Sequence, residues 1–177
     1  MTRVLQLTQD RHVTFRLLLS GTLLVTAGLA YAQQRTTATY GDWTLSCVIA
    51  SSGMKSCGLV QSQKIGSQSL SVSQIGIGRI AKDDPLKISV EIGPDVWVPT
   101  GVKLTTGGNV PILAAIFKWC VSTRCLADAV VSDANIETLR SQKVSGKLAY
   151  KTASQEDVSI PVSFNGLGEA LDALQKP

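Results

Sequence analysis

Histidine is almost missing from this sequence, since His12 is the only one among 177 residues. Histidine is the side chain that most often moves protons near neutral pH, and it is the commonest metal ligand. Its scarcity argues against Ser–His or Cys–His activation of a nucleophile and against a zinc or iron site. We therefore expect a protein that is not an enzyme, with no catalytic residue, no cofactor and no metal ligand.

A strong charge of one sign is also missing. The net charge is +4, and the first 32 residues hold three arginines and one aspartate, so the chain from Gln33 onward carries +2. Such a small positive charge does not indicate a nucleic-acid-binding protein. The sequence also lacks a cluster of arginines and aromatic residues of the kind that binds single strands. We expect no nucleic-acid partner.

Long apolar runs are limited to the N-terminus. Three arginines up to Arg16 precede the apolar stretch Leu17–Leu29, and Ala30-Tyr31-Ala32 follows it. This order is typical of a signal peptide cleaved after Ala32. The stretch is shorter than the ~20 residues of a membrane-spanning helix, although an uncleaved N-terminal anchor is the alternative. We predict that residues 1–32 are a cleavable signal peptide. The protein is then periplasmic or secreted, with no transmembrane segment after cleavage.

The four cysteines are Cys47, Cys57, Cys120 and Cys125. An even number in an exported chain indicates disulfides, and four cysteines allow three pairings. Hairpin geometry favours the two local pairs. A turn at Ser51-Ser52-Gly53 places Cys47 opposite Cys57, and the turn at 121–124 does the same for Cys120 and Cys125. The alternative is one zinc site of four thiolates, for which the Cys47–Cys57 spacing is wide.

Alternation of apolar and polar residues dominates the chain after Thr39. The polar stretch 33–39 is predicted to be a flexible leader, and 40–177 a single disulfide-stapled domain. Trp43–Ile49, Leu86–Ile92 and Val158–Phe164 have the period of strands, and Pro161 favours an edge position for the last of them.

Two short segments have the period of helices. One contains Ile136 and Leu139 after a cap at Ser132 or Asp133, and the other is the Leu167–Leu174 stripe with a cap at Asn165. Together with the strands, they predict a mainly β fold, an antiparallel β-sandwich of about eight strands with two short helices.

Motifs of known enzymes are weak here. Ser52-Gly-Met-Lys55 matches the Ser-x-x-Lys of penicillin-recognising enzymes but lacks their companion motifs. Gly76-Ile-Gly78 lacks the third glycine of a dinucleotide site and is better interpreted as a strand that bends. The pairs Asp83-Asp84 and Glu156-Asp157 leave a carboxylate-dependent hydrolase as a third possibility, although adjacent acids in loops are typical of solvated turns.

Six residues are candidates for a partner surface. Lys143, Lys147 and Lys151 share one parity, so on a strand they form a basic ridge for anionic lipid or polysaccharide. The alternative is a solvated face that discourages edge pairing. Trp97, Phe117 and Trp119 form either a binding patch or part of the core.

The order of several short motifs resembles the invasion-associated locus B family. The resemblance runs from Tyr40 to Leu174 and rests on the following pieces: Gly41-Asp42-Trp43 before Cys47; Cys57 with Gln61; Val96–Val102; Cys120 and Cys125 with Ala127; Ile160–Phe164; Gly166; Ala170-Leu171. It implies an exported bacterial protein with a β-sandwich-like fold. Some members of that family are linked to the entry of bacteria into host cells, including red cells, and the resemblance carries no catalytic residue.

These observations together predict an exported, non-enzymatic interaction protein that supports association with host cells. Its partner is an unknown protein, lipid or glycan at the cell envelope or the host surface. The alternative is a periplasmic binding or envelope-maintenance module with no host role.

Overall fold

The computed structural model describes residues 34–64, 71–81, 83–107 and 110–176. The predicted signal peptide, residues 1–32, lies outside these ranges. Within them, no helix combines the length and the apolar character needed to cross a bilayer.

The described residues form ten antiparallel strands, one short 3-10 turn and two α-helices. The strands are β1 (Gln34–Tyr40), β2 (Trp43–Ile49), β3 (Lys55–Lys64), β4 (Ser71–Gly78), β5 (Lys87–Ile92), β6 (Val102–Thr105), β7 (Pro111–Cys120), β8 (Cys125–Val130), β9 (Gly146–Lys151) and β10 (Asp157–Val162). The 3-10 turn is Val98–Thr100, and the helices are α1 (Asp133–Ser141) and α2 (Leu167–Gln175). The predicted mainly β, antiparallel fold with two short helices is confirmed, with ten strands in place of about eight.

The strands pair in the order β1-β2-β3-β4-β5-β8-β7-β6-β9-β10. Strand β7 belongs to both halves of this sheet, because its first half pairs with β6 and its second half with β8. The pairing of β7 with β8 shifts register between Phe117 and Trp119. Strand β7 changes partner between Ala115 and Ile116, and the strands on its two sides form the two layers of a sandwich-like fold.

The core lies between the two layers. Ile88, Val90 and Ile92 alternate with half-buried residues along β5, as the sequence pattern predicted. Trp43 on β2 and Leu171 on α2 are 0% and 1% exposed. Helix α2 packs on β2 and β3 and covers one end of the core.

Both local disulfides are confirmed. Cys47 and Cys57 are register partners on β2 and β3, and Cys120 and Cys125 are register partners on β7 and β8. The Cα atoms are 4.0 Å apart in each pair. The disulfides therefore staple two hairpins, and each closes the turn that the sequence placed between its cysteines.

Strand β1 (Gln34–Tyr40) includes positions 34–39 of the predicted leader 33–39, so these six residues form a strand where a flexible segment was expected. All seven residues pair with β2, for example Thr37 with Ser46. The side chains from Arg35 to Thr39 are all exposed, so the strand has no apolar alternation that a sequence pattern could reveal. Backbone pairing and β-branched threonines define it instead.

The helix caps were predicted with mixed success. Ser132 caps α1, since its Oγ accepts a hydrogen bond from the Asn135 N–H at 3.2 Å. The Asn165 cap of α2 is wrong, because Gly166 occupies the N-cap position with a φ of 78°.

The edge position predicted from Pro161 is confirmed, since β10 is the last strand of the sheet.

Candidate interaction surface

The predicted aromatic patch is split between the two faces of the sheet. Phe117 opposes the buried Ala127 and packs against the core. After the bulge, Trp119 opposes Leu126, is 42% exposed, and has the Arg124 guanidinium 5.9 Å from its ring centroid. Residues two apart lie on one face of a regular strand, but the register shift between Phe117 and Trp119 places these two aromatics on opposite faces.

Trp97 lies elsewhere on the surface. It is 38% exposed and precedes the 3-10 turn, and its backbone N–H donates a hydrogen bond to the Lys151 carbonyl at 2.7 Å. This contact places Trp97 beside the end of β9, whereas Trp119 lies beside β8. The three aromatics therefore do not form one patch.

The predicted lysine row is only partly correct. Lys147 and Lys151 lie on the outer face of β9, but Lys143 lies in the connection between α1 and β9. Parity applies only within a continuous strand, so counting back to Lys143 was wrong. Lys103 on β6 instead completes the group, because it opposes Ala149, the residue midway between Lys147 and Lys151. Lys151 is also paired, with its Nζ 2.8 Å from the Asp157 carboxylate.

The structure shows a groove that the sequence did not reveal. Strand register places Ser46, Gly58, Gly78 and Lys87 in one row across β2, β3, β4 and β5, on the outer face of the sheet. Two adjacent glycines remove two side chains from this row and leave a shallow depression of about 430 Å³. We call it the glycine groove. Its lining includes Ser46, Val48, Gly58, Val60, Gly76, Gly78, Ile80, Lys87 and Leu126.

Neighbouring strands leave little room for a side chain at two of the glycines, with a side-chain oxygen close to one and backbone close to the other. A Cβ on Gly76 would lie 2.8 Å from Ser89 Oγ, and one on Gly78 would lie 3.2 Å from the Cys57 carbonyl oxygen. Gly58 has more room, since its Cβ would meet only the Ile77 carbonyl oxygen at 3.6 Å. A Cβ at Gly58 would therefore make ordinary van der Waals contact, and the side chain it begins would extend into the groove.

The surroundings of the groove are unusually apolar for an outward-facing sheet surface. Ile80 at its edge is 83% exposed, and on the neighbouring strands Ile116 and Val130 are 62% and 57% exposed. Charged groups are found at its rim, where Lys87 lines it and Asp128 pairs with Lys118 at 3.3 Å. Lys87 and Asp128 lie between the groove and the two exposed residues of the neighbouring strands, since Lys87 pairs with Val130 and Asp128 with Ile116. The groove is therefore an apolar depression with charged groups at its rim, which is typical of a site that buries a partner.

The sequence contained part of this signal. Gly76 and Gly78 alternate with the buried Ile75 and Ile77, so the glycines had to lie on the outer face of β4. Gly58 and Ser46 are distant in sequence, and only strand register places them in the same row. From the sequence alone, the glycine pair predicted only a bend in a strand. The groove could not be predicted, because the sequence does not identify the cross-strand neighbours.

A second cleft, of about 540 Å³, opens at one end of the two layers. Ser73, Glu91, Arg124, Tyr150 and Ile160 are among its lining residues. An ion pair of 3.6 Å joins Arg124 Nε to the Glu91 carboxylate. Burial of the Tyr150 phenol, and then the charge of Asp95, raise the pKa of Tyr150 above its ordinary value.

The residues of the Gly41-Asp42-Trp43 motif contact a distant segment of the chain. The Trp43 indole N–H donates to the Ser163 carbonyl at 2.9 Å, and Ser163 Oγ donates to the Asp42 carboxylate at 2.6 Å. The backbones meet so closely that a Cβ on Gly41 would lie 2.6 Å from the Asn165 carbonyl oxygen. The motif thus joins the β1–β2 turn to the segment between β10 and α2.

Comparison with known proteins agrees with this architecture. The family model described as Invasion associated locus B (IalB) protein matches residues 43–175. The crystal structure of invasion associated protein b from Bartonella henselae is 24% identical in sequence, with a TM-score of 0.66 over 78% of this chain and 94% of that one. No curated protein sequence matches the chain. At that identity the likeness to the solved structure shows the fold.

Proposed function

Since the chain belongs to the invasion-associated locus B family, we propose that it is an exported, non-enzymatic interaction protein that supports association with host cells. The observation that carries this proposal is the apolar glycine groove on the outer face of the sheet. A groove lined by glycine and aliphatic side chains is suited to contact with an apolar partner surface. The Bartonella henselae protein with a similar fold is itself called an invasion associated protein, and this supports the host-cell direction.

Export is supported by the two disulfides. Disulfides form and persist in oxidising compartments, and both staples here close short hairpins. We propose that the protein is periplasmic or secreted after cleavage following Ala32. N-terminal sequencing of the exported protein tests this, and a mature chain that retains Met1 would contradict it.

A substitution that fills the groove tests whether the groove contacts the partner. Gly58→Val adds a side chain on the floor at a position where the first added carbon has room. Gly93→Val is the matched control, because a Cβ at exposed Gly93 meets no atom within 4 Å and Gly93 is not among the groove-lining residues. We expect Gly58→Val to reduce binding of the purified mature protein to host cells while its melting temperature stays close to that of the parent. Equal binding by both variants would exclude the groove as the site of contact.

Cell fractionation separates this proposal from an envelope role without a host. Protein on the outer surface or in the medium supports host association. Strict retention in the periplasm, together with absence of binding to host cells, would contradict it and favour an envelope-maintenance module.

A further inference from the structure

The two edges of the sheet differ in how well they are protected. Edge strands present unpaired N–H and C=O groups, and natural proteins protect them with proline, lysine or charged pairs. Strand β10 carries Pro161, and the ion pair between Asp157 and Lys151 lies at its start. Strand β1 carries neither proline nor lysine, and Arg35 is its one charged residue.

Most of strand β1 lies away from the core, and only Tyr40 at its end packs against it. Its side chains from Arg35 to Thr39 are exposed on both faces of the sheet. Within the described part of the chain, β2 is the only strand that pairs with it. A threonine-rich edge that is polar and carries neither proline nor lysine is a ready template for one more strand.

We propose that β1 pairs with β1 of a second copy of this chain, antiparallel, with Thr37 on the two-fold axis. This register places Arg35 opposite Thr39 and Thr36 opposite Ala38. The two arginines are thereby kept apart, so the edge is complementary to itself. The contact is isologous, as expected for a closed dimer.

The charge pattern of β1 favours a second copy over a strand from another protein, because an antiparallel copy keeps the two Arg35 side chains apart and covers both unprotected edges at once. Thr37 pairs with Ser46, and Ser46, Gly58 and Gly78 form the floor row of the groove. With Thr37 on the axis, the rows of the two copies are collinear. The dimer then has one continuous sheet in which the two grooves lie in line, with β1 of each copy between them.

Sedimentation equilibrium of the purified mature protein tests the dimer, and charge changes on β1 test its register. Thr37→Lys places two like charges opposite each other, so the dimer weakens at low salt and recovers at high salt. Thr39→Asp places a carboxylate opposite Arg35 in both symmetric pairs, and we expect a dissociation constant lower by roughly 2- to 30-fold. Ser122→Lys and Ser122→Asp, in the exposed turn of the β7–β8 hairpin, are the controls for net charge.

Several results would overturn the proposal. One is that both the parent and the Thr39→Asp variant are monomeric at every concentration tested. Another is a dimer that responds to the Ser122 changes as it does to those at Thr37 and Thr39, because it then uses another surface. A third is a monomer whose β1 backbone amides become protected from hydrogen exchange only when a different protein is added. The edge would then pair with a strand of that other protein. None of these outcomes depends on the Gly58→Val result, so the dimer and the proposed function fail separately.

Discussion

The side-chain amide of Gln61 makes two hydrogen bonds to the backbone of a single residue, Ser163. Gln61 Nε2 donates to the Ser163 carbonyl at 2.9 Å, and Gln61 Oε1 accepts from the Ser163 N–H at 3.0 Å. The N–H and C=O of the Gln61 amide thus take the place of the backbone N–H and C=O that a neighbouring strand would present to Ser163. Gln61 lies on β3 and Ser163 follows β10, and these strands are not ladder neighbours. The Gln61 side chain, together with the Trp43 indole that donates to the same carbonyl, therefore joins the two layers where no strand pairing does.

A buried polar chain extends from this contact. Gln63 Nε2 donates to Gln61 Oε1 at 2.8 Å, and Ser73 Oγ donates to Gln63 Oε1 at 2.8 Å. Gln61, Gln63 and Ser73 are 7%, 9% and 3% exposed, respectively. Buried polar groups of this kind are stable because each satisfies another, so loss of one member affects its partners.

We predict that Gln61→Leu lowers the free energy of unfolding substantially. The Gln63 amide and the Ser163 N–H would each lose an acceptor, and an unsatisfied buried polar group costs about 1–3 kcal/mol. Ser62→Ala is the control, because Ser62 is the next residue on β3 and is exposed on the outer face. Urea denaturation of both variants measures the difference. Equal stability would mean that Gln61 does not join the layers in solution.

The features that could be predicted from sequence are the local ones. The two disulfides follow from turns of a few residues, and the edge position of β10 follows from one proline. The buried face of β5 follows from period-two alternation, because one side of the strand faces the core. Each of these depends on residues that are close together in the chain.

The features that were missed depend on register between distant strands. The glycine groove requires Gly58 and Gly78 to be partners, and the basic group requires Lys103 to lie beside β9. Strand β1 was missed for another reason, since its exposed side chains carry no alternation. The Gln61–Ser163 contact spans 102 residues, and no local pattern indicates it.

The two disulfides should contribute unequally to stability. The cysteines are separated by 10 residues in Cys47–Cys57 and by 5 in Cys120–Cys125. In the loop-entropy model each staple contributes about 2–3 kcal/mol, and doubling the loop adds about 0.6 kcal/mol. We predict that Cys47→Ala with Cys57→Ala costs more than Cys120→Ala with Cys125→Ala.

Burial of the cysteines acts in the same direction as loop length. Cys47 and Cys125 are 6% and 0% exposed, but Cys57 is half-buried whereas Cys120 is exposed. Denaturant unfolding under oxidising conditions measures the difference in stability. The reverse order would contradict both the loop-entropy and the burial arguments.

The raised pKa of Tyr150 predicts a loss of stability at alkaline pH. Burial favours the neutral phenol, so the folded protein holds this proton more tightly than the unfolded chain, whose tyrosine pKa is about 10. The contribution is fully present below the unfolded pKa and is lost as the pH rises through the folded pKa. Tyr150→Phe removes the titrating group, so its free energy of unfolding should fall less steeply above about pH 10 than that of the parent. Parallel pH profiles for the two proteins would contradict the assignment.

The outer face of β6 and β9 should bind anionic surfaces through Lys103, Lys147 and Lys151. Lys103 lies opposite Ala149, so each of the other two is a diagonal neighbour about 7–8 Å away. Lysines attached at that spacing on one face attract anionic lipid headgroups, with Lys151 contributing less because its ammonium pairs with Asp157, and the attraction weakens with salt. Lys143 lies outside this face, in the connection before β9.

We therefore predict that Lys103→Ser and Lys147→Ser each reduce binding to vesicles that contain anionic lipid. Lys143→Ser and the distant, exposed Lys55→Ser should have a smaller effect. Lys151→Ser also removes the ion pair with Asp157, which at a half-exposed site is worth about 0–1 kcal/mol, so its melting temperature must be measured alongside binding. Vesicle co-sedimentation at low and high salt distinguishes the variants. If Lys143→Ser weakens binding as much as Lys147→Ser, the basic surface extends beyond the strands, and if no lysine variant changes it, this face is only solvated.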